Sequence, residues 1–557
     1  MQKSLIVTLF TTLGFIQIHA QKETTPNGWH MMDKATSGYY GVSADKAYSF
    51  LKSKNLKSKT VIVAVIDSGI DTLHEDLKPI LWTNPKEIPG NGIDDDHNGY
   101  IDDVHGWNFL GGKDGRNVKE DSYEAARVYH GLKAKYEGKE SVDAKDMAEF
   151  TMWQKAKAVI LGEDKKEEGI DLVILRRMLG SMQKSDSILK VALAKEVFTG
   201  TELNAYIPTE PALKTAKNSL LGLMKANNQL EATNKEFMEG FGEYVAGEDK
   251  KEESKNTPPP AYRAEIVKDD ESNINDRNYG NNDIMASTPL HGTHCSGIIA
   301  AVRNNDKGMD GIADNVRIMM LRAVPDGDEH DKDIANAIRY AVDNGAQVIS
   351  MSFGKDFSPQ KQWVDDAFKY AESKNVLLVH AAGNDAKDVD TEDNFPSPKY
   401  INGKGRANNV ITVGASGDPK NGGLTASFSN YGAKEVDVFS PGVRIYATLP
   451  GGNTYGNLQG TSMACPLVAG IAALTLEYFP TLSAKQLKYV IEKSAQQPPV
   501  KVTKPGTDET VNMGELAKTG GIVNAYEALK LAATLKGERK IVKEVLPKPK
   551  MVKTKKG

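Results

Sequence analysis

A chain of 557 residues, 39% of them hydrophobic, carries enough apolar material for a large core and an accessory region besides. A net charge of −4 gives no basis for binding nucleic acid or an anionic membrane. With two cysteines in the whole chain, no disulfide framework can be inferred.

The chain opens with Met1-Gln2-Lys3 and an apolar run reaching Ile18 and Ala20. A basic start, a short apolar stretch and a small residue before Gln21 read as a signal peptide over 1–20, removed on export to the periplasm or the cell exterior. The run is short for a bilayer span, and the mature chain is expected to have no integral membrane segment. The first strand is expected at Val61-Ile62-Val63-Ala64-Val65-Ile66, a continuous β-branched run of the kind covered on both faces, with Asp67 at its carboxyl end. Open α/β sheets hold their chemistry at such ends.

In Asn91-Gly92-Ile93-Asp94-Asp95-Asp96-His97-Asn98-Gly99-Tyr100, the residues Asp94, Asp96 and Asn98 alternate before a glycine, and a Tyr100 carbonyl follows. That pattern is the first half of an EF-hand-type calcium loop. The second half departs, because position 12 falls on His105 and Asp103 is the nearer carboxylate. Calcium is the expected cofactor, with Asp94, Asp96, Asn98, Tyr100 and Asp103 as ligands.

Residues 21–117 and 269–535 read as two parts of one domain, separated by a charged helical insertion at 118–268. Within it, Ile170, Val173, Ile174, Arg177 and Met178 share one face of an expected helix. Leu213, Ala216, Leu220, Leu223 and Met224 share a face of another, which begins after Thr209-Glu210-Pro211. Two copies of Gly-Glu-Asp-Lys-Lys-Glu-Glu, at 162–168 and 247–253, read as solvated linkers, and Pro258-Pro259-Pro260 as a stiff spacer.

Next comes His291-Gly292-Thr293-His294-Cys295-Ser296-Gly297-Ile298-Ile299-Ala300, a turn running into an apolar helix. Helices then alternate with short apolar strands expected at 316–321, 348–354, 376–381 and 410–414. The alternation predicts an α/β fold, a doubly wound and mostly parallel sheet with helices on both faces, plus the helical insertion. The third of these strands runs out into Ala382-Gly383-Asn384. A small-residue turn at Gly460-Thr461-Ser462-Met463-Ala464-Cys465-Pro466 enters an apolar helix ending near Tyr478. Unpaired backbone N–H groups and the positive end of the helix dipole there favour negative charge beside the Ser462 hydroxyl. Pro466 is tolerated if it falls in the first turn. A capping box at Ser483 and Gln486 opens one more helix, and the basic stretch 536–557 reads as a disordered tail.

These blocks, in the order Asp, His, Ser, resemble those of the subtilisin-like (subtilase) serine peptidases. The resemblance implies that Asp67 orients the imidazole, His291 is the general base and Ser462 the nucleophile. Asn384 matches the asparagine whose amide completes the oxyanion hole. Ser352, Phe353 and Gly354 match the strand that pairs with a bound peptide, and Ala382 and Gly383 are placed with them as substrate-binding residues. Asn394 falls at the base of the first side-chain pocket and Asp385 at its mouth, which favours lysine or arginine there. The acidic run Asp326, Asp328, Glu329, Asp331 and Asp333 either adds to that attraction or only solvates loops. His294 is expected to pack against the sheet, His74 to sit in a surface turn, and Cys295 and Cys465 to be buried free thiols. Residues 38–59 resemble the family's amino-terminal arm and first helix, leaving little room for the long propeptide of many relatives. The implied activity is that of an exported serine endopeptidase acting on polypeptides through an acyl-enzyme. A restricted processing or exopeptidase-type relative, or a binding module of the same fold, are the alternatives.

Overall fold

A computed structural model describes residues 25–163, 171–227, 229–230, 232–401, 403 and 405–539. The expected signal peptide, most of the first heptapeptide copy and 540–557 lie outside the described residues. The main sheet contains β1 Val61–Asp67, β2 Gly106–Asn108, β3 Val316–Arg322, β4 Val348–Met351, β5 Leu377–Ala381, β6 Val410–Asp418, β7 Asn421–Thr425 and β8 Val438–Pro441. Its order is β2-β3-β1-β4-β5-β6-β7, with β8 also paired to β6. Only the β6 and β7 pair is antiparallel. A hairpin of β9 Ile445–Leu449 and β10 Thr454–Leu458 stands beside it.

The helices of the amino-terminal arm are α1 Lys34–Ser37 and α2 Ala44–Ser53. Those of the inserted region are α3 Glu124–Tyr136, α4 Met147–Leu161, α5 Leu172–Leu193, α6 Gly200–Ala205, α7 Pro211–Ala226 and α8 Asn234–Ser254. The rest are α9 Leu290–Ala300, α10 Asp331–Asp343, α11 Lys361–Ser373, α12 Thr461–Tyr478, α13 Ala484–Ser494 and α14 Ala525–Ala532.

Helices cover both faces, which is why the strands read as unbroken apolar runs. Val61, Val63 and Val65 of β1 face α9 and α12. Ala64 and Ile66 face α10 and α11. Each of the three valines and Ile66, fully removed from water, is worth about 1.5–3 kcal/mol. Among the described residues α12 is long and apolar enough to cross a membrane, but 89% of it is buried inside the fold.

The insertion forms two apolar clusters. Tyr129, Tyr136, Phe150 and Trp153 of α3 and α4 pack together and onto Phe357 of the core. Met182, Leu189, Leu220, Met224 and Phe237 join α5, α7 and α8. The face expected on α5 is not the buried one: Val173 and Ile174 are exposed, whereas Leu175, Met182 and Leu189 are buried. Those three recur every seven residues, the stripe that two flanking helices cover. On α7 the expected face holds at Ala216, Leu220 and Met224, after Pro211 at the first helical position. The second heptapeptide copy is not a linker but the end of α8, where Glu248 and Lys251 pair one turn apart.

Buried ion pairs anchor the insertion. Arg263 binds Asp333 at 2.6 Å and Asp269 at 2.8 Å, Lys332 binds Asp269 at 2.5 Å, and Lys355 binds Glu124 at 2.8 Å. Asp331 and Asp333, read from sequence as substrate-attracting or solvating, are instead consumed here, since Asp331 also meets Lys355 at 3.0 Å. Removing one partner of such a pair strands a buried charge, at a cost of about 3–5 kcal/mol. Residues 536–539, expected to belong to a disordered tail, are ordered against the core. The Arg539 N–H and guanidinium donate to the carbonyls of Thr481 and Leu482 at 2.7 and 2.9 Å, which docks 536–539 beside the capping box of α13.

Candidate active site

The carboxyl ends of β1, β4 and β5 lie along one edge of the sheet. In register, Ile66 pairs with Met351 and Met351 with His380, so Asp67, Ser352 and the segment 382–384 follow side by side. Asp67 is buried and faces His291 on the first turn of α9. The imidazole Nδ1 lies 2.8 Å from one carboxylate oxygen and 3.0 Å from the other. Such proximity requires a bare backbone: a Cβ on Gly292 would stand 2.2 Å from the Gly69 carbonyl oxygen.

Arg322, in register with Asp67 on β3, is fully buried and was missed in the sequence. Its guanidinium donates to the Ser68 and Val118 carbonyls, to Asn108 Oδ1 and to Thr288 Oγ1, at 2.6 to 3.2 Å. It thereby pins the chain segments next to Asp67 and His291. Burial lowers it to about 10, and Asp283 opposes that shift. The available signal was a charge directly after the apolar run Ile318-Met319-Met320-Leu321.

Ser462 is the second residue of α12, after Gly460, whose φ of 147° suits glycine. Pro466 lies at the sixth position, not in the first turn, so it leaves the Ser462 carbonyl without its helical donor. Ser352 Oγ supplies one at 2.9 Å and the Cys295 thiol another at 3.4 Å. The Ser462 backbone is therefore tied to β4 and to α9. The Ser462 hydroxyl donates to the Ser352 carbonyl at 3.2 Å, and no hydrogen bond joins it to His291 among the described residues.

Asn384 is oriented by Thr461. Its Oδ1 accepts from the Thr461 N–H at 2.9 Å and hydroxyl at 3.0 Å, which frees its NH₂ as a donor. A point at the absent Cβ of Gly460 is 3.5 Å from Asn384 Nδ2 and 3.6 Å from the Ser462 nitrogen, so two donors flank one small space.

Asn394 donates to the Ala382 carbonyl at 3.0 Å. Its Oδ1 is 3.4 Å from where a Cβ would stand on either Gly354 or Gly383, so it lies between those two walls. Asp385 does not join it. That carboxylate is 58% exposed and 3.9 Å from Lys387, which itself binds Asp356 at 2.9 Å. Ser352, Phe353 and Gly354 line the open cleft that also contains Asp67 and His291.

In the acidic loop, Asp94 and Asp96 gather with Glu87, which the sequence reading missed. Asn98 is turned inward: its Oδ1 accepts from the Tyr100 N–H at 2.8 Å and its NH₂ donates to Asp103 at 3.0 Å. Asp103 is fully buried and also accepts from Asn84 and Tyr340, at 2.9 and 2.5 Å. It therefore braces the loop from behind, and its carboxylate oxygens are spent. The Tyr100 ring packs against Trp107 and Tyr340.

Two histidines depart from expectation. His74 is buried, stacked edge-on to Tyr455 and hydrogen-bonded to the Thr454 carbonyl at 3.1 Å. His294 packs under the β9–β10 hairpin, 3.2 Å from the Gly456 carbonyl, and burial drives it down to about 3. Cys295 and Cys465 are buried free thiols as expected, and burial pushes Cys465 up to about 12.

An acid, a histidine, a serine and an amide donor at the carboxyl edge of a parallel sheet are the parts of a serine-type hydrolase. The chain belongs to the Subtilase family, whose sequence profile matches residues 58–515. It is thus a member of a serine peptidase family. It is 44% identical over 185 residues to the "Thermophilic serine proteinase" of Bacillus sp. (strain AK1), covering 33% of this chain and 42% of that one. The chain therefore spans less than half the length of that relative. Subtilisin DY of Bacillus licheniformis is 39% identical over 208 residues, 37% of this chain and 70% of its own. Thermitase of Thermoactinomyces vulgaris is 38% identical over 240 residues, 43% and 74%. Among solved structures, that of proteases from Pseudoalteromonas arctica PAMC 21717 aligns at a TM-score of 0.36 and 29% identity, over 45% of this chain and 74% of that one.

Burial alone would lower His291, but the Asp67 carboxylate and the Cys295 sulfur outweigh it and hold the imidazole well above its ordinary value. A raised histidine contributes stability that is complete below about pH 6.5 and is lost as pH rises through its folded value. A general base requires the opposite, neutral form. The expected profile of kcat/KM therefore rises with pH through a midpoint above about 6.5. Asp67→Asn should move the midpoint below that value and cut turnover about 10⁴-fold. An unchanged midpoint in Asp67→Asn would show that the pair does not set the base.

Proposed function

We propose that the chain is an exported serine endopeptidase that cleaves polypeptides through an acyl-enzyme. The observation that carries this reading is the paired Asp67 and His291, linked through Cys295, 3.9 Å from the His291 Nδ1 and 3.4 Å from the Ser462 carbonyl, to a serine whose own N–H and the Asn384 amide flank one small space. In the mechanism, Ser462 Oγ attacks the scissile carbonyl while His291 Nε2 takes its proton. Asp67 holds the tautomer and stabilises the imidazolium, and the Ser462 N–H and Asn384 Nδ2 receive the developing oxyanion. The imidazolium then protonates the leaving amine, and water activated by the same histidine hydrolyses the ester. A peptide added as a strand along 352–354 is read mainly through its backbone, which supports cleavage within chains. The apolar amino-terminal run supports export.

A second reading, restricted processing, is favoured by the inserted helix α8, which brings Glu243 into the catalytic cleft.

Calcium fits the acidic loop. Glu87 Oε2 is buried without a hydrogen-bond partner, beside Asp94 and Asp96, the donor set of a hard cation. Glu87, Asp94 and Asp96 would hold the ion, and Asp103 would brace Asn98. Its role is to stabilise the loop and the strand β2 that follows.

The central test is cleavage of a denatured protein. Ser462→Ala and His291→Ala should each lose nearly all turnover, since triad members act as one unit. Full cleavage by Ser462→Ala would overturn the assignment. For the ion, excess calcium should raise the melting temperature of wild type by mass action, and Glu87→Gln should blunt that response. Equal responses in wild type and variant would remove Glu87 from the site.

A further inference from the structure

The insertion does more than decorate the core, because it closes one side of the catalytic cleft. That cleft has a volume of about 500 Å³, and Glu243 of α8 and Asp326 and Glu329 of the segment after β3 line it together with Asp67 and His291. No lysine or arginine lines it among the described residues.

The three acids beyond Asp67 differ in what satisfies them. Asp326 is partly offset by Lys250 of α8, at 3.5 Å. Glu243 is solvent-accessible at the mouth and makes neither an ion pair nor a hydrogen bond among the described residues, and it stands within electrostatic reach of His291. Glu329 is only 2% exposed, yet its Oε1 has no hydrogen-bond partner. The neighbouring cation is already committed: the Lys355 ammonium binds Glu124, Asp331 and the Glu329 backbone carbonyl. Burial pushes the Glu329 carboxyl up to about 8, and Lys355 offsets only part of that. An acid buried at the wall of an open cleft with an unmet oxygen is costly unless something arrives to meet it.

We propose that this cleft is a cation-selective subsite that takes a lysine or arginine side chain of the substrate, upstream of the scissile bond, held by Glu329 from the core and Glu243 from the insertion. The proposal rests on the peptidase reading, because the side chain enters only if the peptide lies along 352–354. The chemistry suits an amphipathic cation. Val324, Pro325, Leu290 and Phe353 give the cleft an apolar wall for the aliphatic stem, and the charged head reaches the carboxylates. Selectivity then comes from a part of the chain foreign to the minimal fold, which gives α8 a function and accounts for the buried ion pairs that fix the insertion at its base. It also relocates the expected preference for basic substrates, away from Asp385 and onto the cleft wall.

The test uses peptide pairs that carry lysine or its uncharged isostere norleucine at one upstream position, scanned over successive positions. Two quantities are read: kcat/KM with wild type, and affinity for the Ser462→Ala protein, which needs no turnover. At one position lysine should be favoured about tenfold, the scale of one partly desolvated ion pair. That ratio should collapse in Glu329→Gln and weaken in Glu243→Gln, and high salt should erode the Glu243 share more than the Glu329 share. If Glu329→Gln does not fold, Glu243→Gln on the helix surface still decides. Equal use of lysine and norleucine at every position, or a preference undiminished in the variants, overturns the proposal. Absent turnover with preferential binding of lysine peptides would sink the peptidase reading and leave the subsite standing. Turnover without preference would do the reverse.

Discussion

The contact between Asp67 and His291 is the constraint on which the rest of the structure depends. It joins residues 224 positions apart, one ending a strand and the other opening a helix, and holds them at 2.8 Å. A buried carboxylate without its partner would be a net loss, so the elements carrying the two residues must be fixed before the pair can form. Fixing them falls to the β1–β3 register, to Gly292, which permits the close approach, and to the Arg322 guanidinium, which binds chain on both sides of the insertion. The serine is positioned by a second device. Pro466 exposes the Ser462 carbonyl, and Ser352 and Cys295 claim it.

The insertion is continuous with this arrangement. Its stem is clamped by Arg263, Lys332 and Lys355 to carboxylates on both sides of the boundary, so α8 is held over the cleft with a defined position instead of swinging on its proline linker. The anchoring acids Asp331 and Asp333 and the cleft acids Asp326 and Glu329 come from one short run of sequence. Neighbours in sequence therefore serve two purposes, stability on one side of the segment and recognition on the other.

Much of this was legible in the sequence where the signal is local. The strands β1, β3, β5 and β6 are apolar runs covered on both faces, and the turns at 291 and 460 carry small residues because backbones meet there. The capping box at Ser483 and the start of α7 at Pro211 were equally local. What escaped notice depends on distant partners. The buried face of α5 is chosen by α7 and α8, not by its own apolar count. His74 looks like a surface residue until Tyr455 covers it. Glu87 precedes the acidic loop and joins Asp94 and Asp96 only when the chain turns back, whereas Asp103, nearer the motif, is drawn inward by Tyr340 and Asn84. Arg322 reads as a charge at the end of a strand and Glu329 as one member of an acidic run, because the burial of each is decided by partners distant in sequence.

The measurement that bears most directly on the account is labelling with a fluorophosphonate, with the adduct located by mass spectrometry. Such a probe reacts with a serine whose proton can be taken and whose oxyanion is received. The account predicts one adduct, on Ser462, formed rapidly by wild type and lost in His291→Ala. It also predicts labelling slowed by roughly 10²–10³ in Asn384→Ala, the cost of an oxyanion donor in this family. An adduct on another residue, or labelling of Ser462 that persists unchanged without His291, would contradict the claim that these distant segments build one catalytic centre.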